Sequence, residues 1–140
     1  MDIRCAESDA EIARCHAVMV ELRPQYDLES FVAQVRRQMK SDGYRLAYLE
    51  EGCDIHAVAG FRIGEFLAWG RTLYVDDLVT RAVARSKGFG ARLLDWLVNH
   101  ARSLGCRELH LDSGVHRFDA HRFYLRQHMR ISAHHFAMDL

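Results

Sequence analysis

Val79-Thr80-Arg81-Ala82-Val83-Ala84-Arg85-Ser86-Lys87-Gly88-Phe89-Gly90-Ala91 is the stretch from which the fold reads outward. An apolar alternation ends at Thr80, a basic loop follows, and two glycines open an amphipathic helix. A helix start leaves its first N–H groups unpartnered and carries the positive end of the dipole, a setting that suits a pyrophosphate. Glycine at 88 and 90 lets the backbone approach an anion with no Cβ in the way. Arg85 and Lys87 can add charge-assisted hydrogen bonds. A P-loop requires Lys-Ser or Lys-Thr directly after its last glycine, and Ala91-Arg92 stands there instead. A dinucleotide fingerprint requires glycine or alanine three positions after Gly90, and that position is Leu93. The plainer reading is a glycine pair that shapes a turn beside solvated basic residues.

Downstream of the loop, Phe89 to Leu104 predicts a helix with Phe89, Leu93, Trp96, Leu97, Ala101 and Leu104 inward, and Gly105 as its cap. Arg107 to Ser113 alternates as a strand. A short helix spans Asp119 to His128, with Asp119 as a candidate cap, and Arg130 to Leu140 reads as a last strand.

Upstream, Thr72 to Thr80 predicts a strand with Leu73, Val75, Asp77 and Val79 on one face. Ile55 to Ile63 and Tyr44 to Leu49 form a hairpin around Gly52, and Gly64 predicts a bulge or bend before Phe66 to Trp69. Asp27 caps a helix striped by Leu28, Phe31, Val32, Val35 and Met39, which Gly43 closes. Ser8 and Glu11 have capping-box spacing before Ile12, Cys15, Met19 and Leu22, and Pro24 stops that helix. Met1 to Cys5 is a short first strand. The predicted order is β-α-α-β-β-β-α-β-α-β, an α/β (α+β) class with a mixed sheet.

The 140 residues carry no linker, repeat or low-complexity stretch, so one domain over residues 1–140 is expected. Nineteen basic and nineteen acidic residues cancel, which argues against the broad electrostatic footprint of a nucleic-acid or membrane binder. Cys5, Cys15, Cys53 and Cys106 form no CxxC pair, so neither zinc nor a redox motif is expected. His134 and His135 are adjacent on a predicted strand and face opposite ways, which disfavours a shared metal. No signal or transmembrane run is read, and the expectation is a cytoplasmic protein with reduced thiols.

Arg85-Ser86-Lys87-Gly88-Phe89-Gly90 resembles the R/Q-x-x-G-x-G/A motif of the GNAT superfamily of N-acetyltransferases. The likeness extends from Asp77-Leu78-Val79-Thr80 through Leu109-His110-Leu111-Asp112-Ser113 to Ala120-His121-Arg122-Phe123-Tyr124. Val58-Ala59-Gly60-Phe61 matches too. The resemblance implies a mostly antiparallel sheet flanked by helices on both faces, acetyl-CoA as cosubstrate, and transfer of its acetyl group to an amine. It implies that Leu78, Val79 and Thr80 pair with the pantetheine arm, and that Arg85, Ser86, Lys87, Gly88, Phe89, Gly90 and Ala91 hold the pyrophosphate. Ala120 and Phe123 would lie on the coenzyme side.

An alkylammonium with a pKa of about 10.4 must lose a proton before attack, adding about 4–5 kcal/mol at neutral pH unless the site helps. Asp77 stands at the family's acidic position and is the candidate base, directly or through water. Asp76 is the reserve, although alternation points it to the other side, and the competing reading of Asp77 is a structural carboxylate paired with an arginine. Tyr124 stands at the family's tyrosine and is the candidate acid for the departing thiolate, against a reading as one more packed aromatic. The expected mechanism is direct attack in a ternary complex; Cys53 and Cys106 lack a placed base and are not nucleophile candidates. Arg117 stands where many members carry asparagine, and His128 where many carry glycine, so His128 must avoid the left-handed conformation or accept its strain. Residues 113–124 resemble a subgroup that includes aminoalkylphosphonate N-acetyltransferase, which implies a small-molecule amine. Tyr26, Tyr44 and Trp69 are candidates for an acceptor pocket or for the core. A non-catalytic acyl-CoA sensor, a protein N-terminal or lysine acetyltransferase, and a homodimer remain open.

Overall fold

The computed structural model describes all 140 residues. The chain forms two compact units, Met1–His110 and Leu111–Leu140. The elements are β1 (Asp2–Cys5), α1 (Asp9–Met19), α2 (Leu28–Asp42), β2 (Arg45–Glu51), β3 (Asp54–Phe66), β4 (Gly70–Thr80), α3 (Phe89–Ser103), β5 (Glu108–Leu111) and α4 (Phe118–Arg126), with a 3-10 turn at Ala82–Ala84. One sheet runs β1-β2-β3-β4-β5 in chain order, and its first three pairings are antiparallel. The Arg107 N–H donates to the Arg71 carbonyl at 2.8 Å, so β4 and β5 begin side by side and run parallel.

Local sequence dictates the first two helices. Ser8 accepts from the Glu11 N–H while Glu11 accepts from the Ser8 N–H, completing the expected capping box. Asp27 and Ser30 repeat the arrangement at α2, and Gly43 ends that helix in the left-handed conformation at φ 67°. Both helices lie on one face of the sheet, where Ile12, Cys15, Val18, Phe31 and Val35 pack with Leu46, Tyr48, Val58 and Val79. Leu28, the first residue of α2, leaves the predicted stripe and is half exposed. On the other face α3 buries Phe89, Leu93, Leu94, Leu97 and Ala101, and Phe61 meets Trp96 and His100 edge-on.

Period-2 alternation fails at one place in β4. Gly60 pairs with Asp77 and Phe61 with Val75, so β4 uses three residues where β3 uses two. Asp76 is the extra residue of a β-bulge. Leu73 and Val75 therefore face α3, whereas Asp77 and Val79 face α1 and α2, and the four do not share the one face predicted from alternation. The bend expected at Gly64 is absent: Gly64 pairs with Thr72 in an unbroken ladder, and the chain turns at residues 67–69.

In the unit Leu111–Leu140, α4 starts after Arg117, which makes no side-chain cap. Asp119 is not the cap; it sits in the first turn and bonds Arg122 at 2.9 Å. His128 adopts φ 67°, accepting the left-handed conformation that glycine would take without strain. Arg130–Leu140 is exposed and forms no strand, against the expectation. Alternation supplies a strand's side chains but not the partner backbone that would hold it.

A Cβ at Gly60 would clash with the Tyr44 hydroxyl and stand 2.6 Å from the Asp77 Oδ2. Gly60→Ala should lower the unfolding free energy by about 1–3 kcal/mol in denaturant titration. Backbone N–H donors hold the carboxyls of Glu11 and Asp27 below their ordinary pKa values of 4.5 and 3.8. A depressed folded-state pKa stabilises above the unfolded value and stops doing so as pH falls through the folded one. Glu11→Gln and Asp27→Asn should each flatten the acid limb of a stability–pH curve below about pH 4.5.

Candidate functional site

The loop between β4 and α3 is built to present amides. The Arg81 N–H donates to the His56 carbonyl at 2.8 Å, the Ala82 N–H to Glu21 Oε1 at 2.9 Å, and the Ala84 and Arg85 N–H groups turn back within the loop. From Ser86 to Ala91 no main-chain N–H has a protein acceptor, and the first helical bond is that of Arg92 to the Gly88 carbonyl. Ser86 at φ 68° and Gly88 at φ 84° curl the segment into the α3 N-terminus. Nothing stands within 4 Å of where a Gly88 Cβ would be, so the approach to these amides is clear. Ser86 has a side chain in the region that favours glycine, a strain of about 1–2 kcal/mol. Phe89 faces inward and stacks flat on the His56 ring, centroids 4.4 Å apart, which anchors the helix start. His56 is the extra residue of a second bulge, in β3 opposite Leu49–Glu50, and its Nδ1 is buried without a partner. Six free donors at a helix start, with Arg85 and Lys87 alongside, fit a diphosphate.

Leu78, Val79 and Thr80 pair with β3 on one side. The four residues of β5 start beside Arg71 and end before reaching them, so no strand partners Leu78–Thr80 on the other side. That edge offers main-chain groups to an extended ligand.

Both adjacent carboxylates line one cleft, because the bulge overrides the alternation that pointed Asp76 away. The cleft encloses about 340 Å³. Gln25, Gln34, Gln38, Tyr26, Tyr44, Tyr74 and Arg23 supply its other polar groups, over a floor of Met19, Phe31 and Val35. Asp77 Oδ1 accepts from Arg23 Nε and Oδ2 from the Tyr44 hydroxyl, each at 2.8 Å. Asp77 thus has the arginine partner of the structural reading. Each oxygen still has lone-pair capacity for a further donor. Burial, then the Asp77 charge, pushes the Tyr44 hydroxyl well above its ordinary pKa, so it stays a donor. Asp76 is bound in a fork by Arg62 from β3. Of the three aromatic candidates, Tyr26 and Tyr44 line the cleft; Trp69 does not, being stacked on His110 at 3.7 Å. Arg23 and the three glutamines carry no sequence motif, and only folding places them here.

In the second unit Tyr124 is half-buried on α4, as are Ala120 and Phe123. Burial raises the Tyr124 hydroxyl above its ordinary pKa, an effect partly offset by Arg117, so the phenol is protonated at neutral pH. No three His, Cys, Asp or Glu side chains are grouped to hold a metal. All four cysteines are free thiols; burial drives that of Cys15 up to about 12 and so keeps it unreactive. No helix is long and apolar enough to cross a membrane.

The acetyltransferase (GNAT) family model matches residues 10–129. The chain belongs to the GNAT family. It is 38% identical over 117 residues to the uncharacterized N-acetyltransferase YhdJ of Bacillus subtilis, covering 84% of this chain and 82% of that one. It is also 38% identical over 53 residues to the aminoalkylphosphonate N-acetyltransferase of Salmonella typhimurium, covering 38% of this chain and 34% of the relative. Among solved structures, AAC(6')-Iy in complex with the bisubstrate analog CoA-S-monomethyl-acetylneamine superposes with a TM-score of 0.85 at 12% identity, over 99% and 97% of the two chains. This GNAT protein is an acetyl-CoA-dependent acyltransferase.

Loss of the Tyr44 hydroxyl removes a buried donor to a carboxylate. Tyr44→Phe should cost about 1.5–3 kcal/mol of stability, read as a shifted midpoint in urea.

Proposed function

We propose that the protein transfers the acetyl group of acetyl-CoA to a primary amine of a small polar molecule, by direct attack in a ternary complex. The observation that carries this reading is the run of unpartnered amides from Ser86 to Ala91 at the mouth of α3. In this reading Arg85, Ser86, Lys87, Gly88, Phe89, Gly90 and Ala91 bind the coenzyme diphosphate. The free edge of Leu78, Val79 and Thr80 pairs with the pantetheine arm, and Ala120 and Phe123 lie on the coenzyme side. The acceptor enters the cleft at Asp76 and Asp77. A volume of about 340 Å³ stands at the lower end of small-molecule sites and favours an acceptor of amino-acid or amino-sugar size over a folded protein surface. Arg23 is the one cation among the lining residues and is paired with Asp77.

The amine nitrogen bonds to the acetyl carbon, the carbon–sulfur bond breaks, the amine proton leaves and the sulfur gains one. Asp77 orients the ammonium and receives its proton, directly or through a water. Tyr124, kept protonated by burial, donates to the thiolate. Residues 1–140 work as one catalytic domain in the cytoplasm, with neither nucleic acid nor membrane as partner. A homodimer covering Ile131, Phe136, Met138 and Leu140, all exposed, completes the reading.

Incubation with acetyl-CoA and a panel of small amines should release free thiol and raise the melting temperature. Tyr124→Phe and Asp77→Asn should each lower kcat by about 100-fold or more. A raised melting temperature without turnover on any amine would point to an acyl-CoA sensor instead, and turnover only on peptide amines to a protein acetyltransferase. No effect of acetyl-CoA on either readout would sink the proposal.

A further inference from the structure

The turn between α1 and α2 holds both halves of the site at once. Glu21 Oε1 accepts from the Ala82 N–H at 2.9 Å and lies 3.7 Å from the Arg85 guanidinium. Two residues on, Arg23 donates through Nε to Asp77 Oδ1 at 2.8 Å and through its terminal nitrogen to the Asp76 carbonyl at 3.1 Å. The turn is internally tied: the Glu21 N–H donates to the Val18 carbonyl, and the Leu22 and Arg23 N–H groups to that of Met19. These bonds tie Glu21 and Arg23 into one short turn at the end of α1. Glu21 faces the amide loop and Arg23 faces the carboxylate of the cleft.

We propose that Glu21 and Arg23 are positioning residues that couple the two substrates: a diphosphate on the loop loosens the grip of Arg23 on Asp77. The inference rests on the coenzyme reading above. Before the diphosphate arrives, Arg85 has Glu21 as its anionic partner. A diphosphate on residues 85–91 competes for Arg85 and repels the Glu21 carboxylate, since like charges in a partly buried site are poorly screened. Glu21 withdraws and carries the turn with it. Arg23 then releases Asp77, whose freed Oδ1 accepts the ammonium of the acceptor or the water that relays its proton. Holding Asp77 paired with Arg23 until the coenzyme is bound avoids an uncompensated carboxylate in the open cleft. Coupling of this kind is reciprocal, so an acceptor on Asp77 also strengthens coenzyme binding.

The test follows the Arg23 Nε–H by NMR in the full chain, using CoA as the probe so that no turnover occurs. Arg23→Lys assigns the resonance. CoA saturation should speed solvent exchange of that proton at least about 5-fold, the low end of typical coupling factors. In Glu21→Gln, which keeps an acceptor for the Ala82 N–H but loses the charge, CoA should bind while exchange changes less than about 2-fold. Arg85→Gln should blunt the response as well, by a separate route should Glu21→Gln fail to fold. An unchanged exchange rate in the wild type with CoA bound overturns the coupling and leaves the acetyltransferase reading intact. So does an undiminished response in Glu21→Gln. CoA that does not bind at all overturns the coenzyme reading and the coupling with it.

Discussion

The extra residue in β4 is the constraint on which the site depends. Without it, alternation would send Asp76 and Asp77 to opposite faces, one toward α3 and one toward α1 and α2. With three residues of β4 set against two of β3, both carboxylates reach the same cleft. Gly60, lying opposite, supplies the room: its missing side chain is where the Tyr44 hydroxyl meets Asp77. A bulge also strengthens local twist. The free edge of Leu78–Thr80 follows directly after it.

Two bulges shape the cleft and the amide loop. The one at Asp76 brings both carboxylates to one cleft; the one at His56 supplies the carbonyl that ties down Arg81 and the ring that supports Phe89. Between them lies a loop whose amides are left open because the chain spends its hydrogen bonds at Arg81 to Arg85 and resumes only at Arg92. The open amides are thus a property of the backbone, and the side chains of Arg85 and Lys87 add positive charge beside them. The cleft is the opposite case, a set of side chains from α1, α2, β4, the turn joining the helices and Tyr44 just before β2, brought together only by packing.

Much of this was legible from residues alone. The capping pair Ser8–Glu11, the cap at Asp27, the closure at Gly43 and the inward face of α3 up to Ala101 each depend on neighbours within one or two turns, whereas Leu104, also expected inward, is exposed. The glycine loop read correctly as a helix start with free amides for the same reason. The family pattern added the assignment of chemistry to Asp77 and Tyr124, which composition and spacing could not supply.

What the sequence determined by itself was therefore local: element order as far as α4, the caps of α1 and α2, the amide loop and the family. Tertiary structure decided whatever depends on a partner distant in the chain. A bulge is a mismatch between two strands, so neither strand announces it, and the face of Asp76 was misread for that reason. Arg23 reaches Asp77 across 54 positions and Glu21 reaches Ala82 across 61, distances over which no local pattern carries information. Arg130–Leu140 shows the same limit from the other side. Its alternation is that of a strand, but strand formation is a property of two backbones, and here only one is present.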